Sequence, residues 1–128
     1  MVWDKVWEEV FKRQRWSRYP NEELIRFIAK NFYKVEDRKL IKILEVGCGP
    51  GANLWYLARE AFCVYGIDGS ITAIAKAKNR LDKEVKGWCG HLMIEDITVI
   101  PFDGQFFDAV VDVERLYCNS IRDLETFQ

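Results

Sequence analysis

Glu45-Val46-Gly47-Cys48-Gly49-Pro50-Gly51 follows the apolar pair Ile43-Leu44, and about twenty residues on a second apolar run, Val64-Tyr65-Gly66-Ile67, ends in Asp68. These residue types at this spacing hold a nucleotide-like ligand. Gly47 and Gly49 lack a Cβ, so main chain can come against the ligand, while Gly51 can take a positive φ where a helix opens. Asp68, at the carboxyl edge of a sheet, is placed to accept hydrogen bonds from ribose hydroxyls. Gly47, Gly49 and Ala52 also satisfy the looser dinucleotide pattern G-x-G-x-x-G/A, so these residues alone leave a nicotinamide cofactor open. A glycine turn shaped for packing alone is the plainer alternative, and the correctly spaced acid weighs against it.

A third element separates the cofactors: Ile94-Glu95-Asp96-Ile97, then Ile100-Pro101-Phe102-Asp103-Gly104, then Phe106-Phe107-Asp108-Ala109-Val110-Val111-Asp112-Val113. With Glu-Val-Gly-Cys-Gly-Pro-Gly, Gly-Ile-Asp-Gly-Ser and Glu-Asp-Ile…Pro-Phe…Phe-Asp in order, the chain resembles class I S-adenosylmethionine-dependent methyltransferases over roughly residues 16 to 118. The resemblance implies that Glu45, Gly47, Cys48 and Gly49 surround the methionine part of the cofactor and that Asp68 meets the ribose. Gly69 and Ser70 would follow at the adenine edge, Asp96 would take the adenine amino group, and Ile97 would supply a main-chain contact and an apolar surface to the ring. Val113 would border the sulfonium. A nicotinamide enzyme has no need of the Asp96 segment, and its cofactor domain more often starts at the first strand, whereas about forty residues precede that strand here.

The implied reaction is transfer of a methyl group from S-adenosyl-L-methionine by in-line displacement, leaving S-adenosyl-L-homocysteine. Such a reaction needs alignment and desolvation, no covalent enzyme nucleophile, and a base only for a protonated acceptor. Glu114 and Tyr117 follow the fourth strand at its ligand edge and are the candidate bases, with the catalytic residue left unassigned. Asp112-Val113-Glu114-Arg115 lacks the Asn/Asp-Pro-Pro-Tyr motif of enzymes that methylate amide or nucleobase amines, which favours a small-molecule acceptor. Trp16-Ser17-Arg18-Tyr19-Pro20 sits where related enzymes place a lid, although aromatic residues at helix ends more often make core or staple contacts. The alternatives are a non-catalytic cofactor-binding part of such an enzyme and, further off, an NAD-dependent oxidoreductase.

The elements that position these residues follow from periodicity. Val2, Val6 and Val10 with Trp3, Trp7 and Phe11 recur at helical spacing, and Pro20-Asn21-Glu22-Glu23 starts a second helix through about Phe32. Strands are expected over Leu40–Val46, Cys63–Ile67, His91–Glu95 and Phe107–Val113, with helices over Asn53–Arg59 and Ile71–Leu81 and another from Asn119. Alternating β and α make this an α/β fold, a Rossmann-like doubly wound and mostly parallel sheet, in one domain spanning 1–128 with N-terminal helices over 1–39 and the core over 40–128. Four strands are legible before Gln128, so the sheet reads as truncated after the fourth, which is central in the family. An apolar strand at an open edge is expected to recruit a second copy as a homodimer, unless the chain is a fragment of a longer protein. One departure from the family pattern is Ala61, where the family usually has a glycine after the first crossover helix; if that position needs a left-handed backbone, alanine costs roughly 1 kcal/mol.

Composition bounds the rest. With 19 basic and 20 acidic residues and no basic cluster, a dedicated nucleic-acid surface is not expected. Acids within the first turns argue against a secretory signal and no segment is long enough to span a membrane, which points to the cytoplasm. Cys48, Cys63, Cys89 and Cys118 are irregularly spaced, so no metal site and reduced thiols are expected, Cys63 as a small core residue. The single histidine, His91, opens the third strand in a structural or surface role.

Overall fold

The computed structural model describes residues 19–96 and 106–112 and the backbone of 116–117. The helix expected over Val2–Phe11, most of the Trp16–Pro20 lid, the site residues Ile97 and Val113, the candidate base Glu114 and the helix expected from Asn119 lie outside the described residues, as does the side chain of Tyr117.

Helix α1 spans Glu22–Phe32. The Asn21 side chain caps it, accepting from the main-chain N–H groups of Glu23 at 2.8 Å and Leu24 at 3.1 Å. Acids at 22 and 23 and Lys30 in the last turn match the helix dipole, and Leu24 and Ile28, one turn apart, are buried. A short 3-10 turn, Arg38–Leu40, leads into strand β1, Lys42–Val46. There follow helix α2 (Ala52–Arg59), strand β2 (Cys63–Asp68), helix α3 (Ile71–Glu84), strand β3 (Gly90–Ile94), strand β4 (Ala109–Asp112) and strand β5 (Leu116–Tyr117).

The strands form one sheet in the order β3-β2-β1-β4-β5, parallel except for β5. Ile43, Val64, Ala109 and Val111 face the helices, packing with Leu24, Ile28, Leu54, Leu57 and Leu81. Leu44, Ile67 and Val110 face the other way, onto Phe107, with Tyr65 and Phe106 stacked edge-on against that ring. Gly66 falls on the helix-facing side by strand alternation, where a Cβ would come within 2.7 Å of the Leu54 side chain and 3.0 Å of the Cys48 sulfur, so those side chains would have to shift.

Several expectations need correction. Leu40 is outside the first strand, in the 3-10 turn and 72% exposed, because the Asp37 side chain accepts from Lys39 N–H and closes that turn. Phe107 is buried ahead of the fourth strand, which opens only at Ala109. The outer edge of β4 is not bare: β5 pairs antiparallel with it at Val110 and Val111. Cys63 is not a free thiol but is disulfide-bonded to Cys89, 26 residues away. The β2–β3 register, which sets Val64 opposite Gly90, brings the preceding residues together with Cα atoms 4.7 Å apart. Cys48 is free and buried.

Candidate active site

The carboxyl ends of four parallel strands meet on one edge: Val46 is in register with Ile67 and with Asp112, and Asp68 with Ile94. β1 there runs into the glycine turn, where Gly47, Gly49 and Gly51 all have positive φ, at 73°, 57° and 95°. Gly51 is restricted twice over, since a Cβ would stand 2.8 Å from that of Ala77 on α3. The N–H groups of Gly47 and Cys48 both donate to the Ile67 carbonyl, at 2.7 and 3.1 Å, folding the turn over the end of β2.

Asp68 completes this fold-over. Its carboxylate, 2% exposed, accepts from Gly49 N–H at 2.8 Å and from Ser70 N–H at 2.9 Å. The residue expected to meet the ribose therefore also fixes the glycine turn. Ser70, fully buried, caps α3 by accepting from Ala73 N–H at 3.0 Å, and Gly69 is half-buried between the two. Glu95 N–H donates to the Asp68 carbonyl at 3.0 Å, which sets the half-buried Asp96 on the same edge. The exposed His91 lies within β3, away from this end.

Glu45 is the most unusual group. On the helix-facing side of β1 and 1% exposed, its carboxyl accepts through Oε2 from the Asn53 side-chain amide at 2.8 Å, while Oε1 is buried with no hydrogen-bond partner among the described residues. Burial chiefly, with the charges of Asp68 and Asp112 adding and the Asn53 bond opposing, pushes Glu45 up to about 8. A buried carboxyl with a free oxygen at a ligand edge is suited to a cationic hydrogen-bond donor. Burial and the neighbouring Glu45 and Asp68 also raise the Cys48 thiol, whose sulfur packs in the helix-side core.

Of the ten residues assigned from sequence, Glu45, Gly47, Cys48, Gly49, Asp68, Gly69, Ser70 and Asp96 fall on this one edge. Two polar neighbours of Glu45 escaped sequence reasoning. Asp112 ends an apolar strand as Asp68 does, and that signal could have marked it; Asn53 carries no spacing signal, because its role depends on where α1 docks.

Residues 43–127 match the family model described as Methyltransferase domain. A tRNA U34 carboxymethyltransferase from Alcanivorax borkumensis is 35% identical over 79 residues, 59% of this chain and 24% of that protein. A malonyl-[acyl-carrier protein] O-methyltransferase from Salmonella typhimurium is 29% identical over 87 residues, 67% of this chain and 32% of that protein. The chain thus spans about a quarter to a third of the length of these curated relatives. A Thiobacillus denitrificans S-adenosylmethionine-dependent methyltransferase, solved with S-adenosyl-L-homocysteine, superposes with a TM-score of 0.62 at 21% identity, covering 90% of this chain and 45% of that one. With the motif-bearing edge and the matched region coinciding, the chain belongs to the methyltransferase-domain family.

Proposed function

We propose that this edge binds S-adenosyl-L-methionine and that the protein transfers its methyl group to an acceptor. The observation that carries the reading is the unpartnered Oε1 of Glu45 beside a turn of three left-handed glycines. An α-ammonium group supplies the cationic donor this oxygen lacks. The Asp68 carboxylate, at the end of β2, suits ribose hydroxyls, and Gly69, Ser70 and Asp96, further along the edge, suit the adenine, with Ile97 and Val113 assigned from the motif alone. The cofactor, when bound, brings an already activated methyl group, so this chain's residues need only bind, orient and exclude water.

A small-molecule acceptor is the favoured reading, supported by the near-equal counts of acidic and basic residues and by the motif absent after Asp112. The relatives' names span a tRNA and an acyl-carrier-protein substrate, so both belong in the acceptor screen. Cytoplasmic placement is part of the same proposal; among the described residues no helix is long and apolar enough to cross a membrane.

Calorimetric titration of S-adenosylmethionine and S-adenosylhomocysteine, with Glu45→Gln and Asp68→Ala as controls and NADH as competitor, tests it. Micromolar binding lost in both variants is expected. NADH displacing the ligand would overturn the assignment, and binding without turnover across the acceptor panel would make this chain the non-catalytic binding part.

A further inference from the structure

Asn53, in the first turn of α2, touches two elements that are remote in sequence. Its Nδ2 donates to Glu45 Oε2 at 2.8 Å, and its Oδ1 accepts from the main-chain N–H of Asn21 at 2.8 Å. The backbone N–H can only donate, so the amide is locked with its oxygen toward Asn21 and its NH2 toward the carboxyl. Aspartate in its place would lose the donor, and an apolar residue would lose both bonds. Asn21 is also the cap of α1, so the N-terminus of that helix is one hydrogen bond from the amide that holds Glu45. The charged and titratable groups acting on Glu45 are Asp68 from β2, Asp112 from β4 and the Cys48 thiol from the turn. Against them, the neutral Asn53 amide favours the ionised form through its hydrogen bond.

Resting on the cofactor reading above, we propose that Asn53 is a positioning residue that fixes Glu45 for the cofactor's cationic end and couples that carboxyl to the seating of helix α1. Movement at the N-terminus of α1 then alters the cofactor site without touching it, because an amide released by Asn21 is free to turn away from Glu45.

The test is a carbon-13 NMR titration of the Glu45 carboxyl in the cofactor-free full chain, its signal assigned by its loss in Glu45→Gln, alongside S-adenosylmethionine calorimetry. In Asn53→Asp and Asn53→Ala the Glu45 midpoint is expected to move up by about one pH unit and cofactor affinity to fall about tenfold. Asn21→Pro removes the N–H at a backbone φ of −68° that proline accepts, whereas Asn21→Ala loses the cap but keeps the N–H. The midpoint is expected to move in the proline variant and to stay in the alanine variant. An unmoved midpoint in both Asn53 variants would overturn the positioning role, and identical midpoints in the two Asn21 variants would overturn the coupling. If the wild-type chain bound no S-adenosylmethionine while the midpoints moved as described, the cofactor reading would fail and the relay would stand.

Discussion

Glu45 sets stability against function. Its folded value near 8 lies above the ordinary 4.5, so between these values the folded protein keeps a proton that the unfolded chain has lost. Its contribution is complete below the unfolded value and disappears as pH rises through the folded one, on the order of a few kcal/mol. Thermal melts are therefore expected to show Tm falling from about pH 5 to about pH 8, with a smaller fall in Glu45→Gln, which is neutral throughout. The same variant is expected to lose cofactor affinity by at least about tenfold. Because a cationic donor favours the ionised carboxyl, binding near pH 6.5 should release close to one proton, read from calorimetry in buffers of different ionisation enthalpy. Asp68 behaves differently: Asp68→Asn turns a donor toward one of two main-chain donors, Gly49 or Ser70, and is expected to lower unfolding free energy by about 1–3 kcal/mol.

At the scale of elements, backbone handedness decides most. Ala61, closing the connection from α2 to β2, has φ 77°, so Ala61→Gly is expected to raise stability by about 1 kcal/mol in urea melts at unchanged m. Gly51 is the mirror case. Gly51→Ala adds both a disfavoured φ and a methyl 2.8 Å from the Ala77 Cβ, so α2 and α3 must separate, at a cost of about 2 kcal/mol or more. Gly51 reads clearly in the sequence because the glycine pattern marks it, and Ala61 only as a departure from the family's glycine, while a capping residue marks the start of α1 at Asn21. Ends without such punctuation moved: α3 runs on to Glu84, and β3 is displaced by one residue to Gly90–Ile94.

At the scale of the whole molecule, the sheet formed by the described residues has β3 at one edge and the two-residue β5 at the other. Since β5 takes up hydrogen bonds of β4 that a second copy would otherwise use, light scattering at high concentration is expected to give the 15.1 kDa monomer. A dimer mass would mean that β5 is displaced or that the β3 edge does the pairing.

The sequence by itself determined the alternation of strands and helices, the glycine turn and the acids that end β2 and follow β3, because each is a local pattern set by periodicity, φ and chain spacing. Tertiary structure alone decided what those residues touch. The β2–β3 register brought Cys63 to Cys89, the seating of α1 brought Asn21 to Asn53, and burial between β2 and β4 changed Glu45 from an ordinary carboxylate into one that holds its proton. Contacts of this kind join residues distant in the chain and depend on burial, and neither is encoded in local spacing.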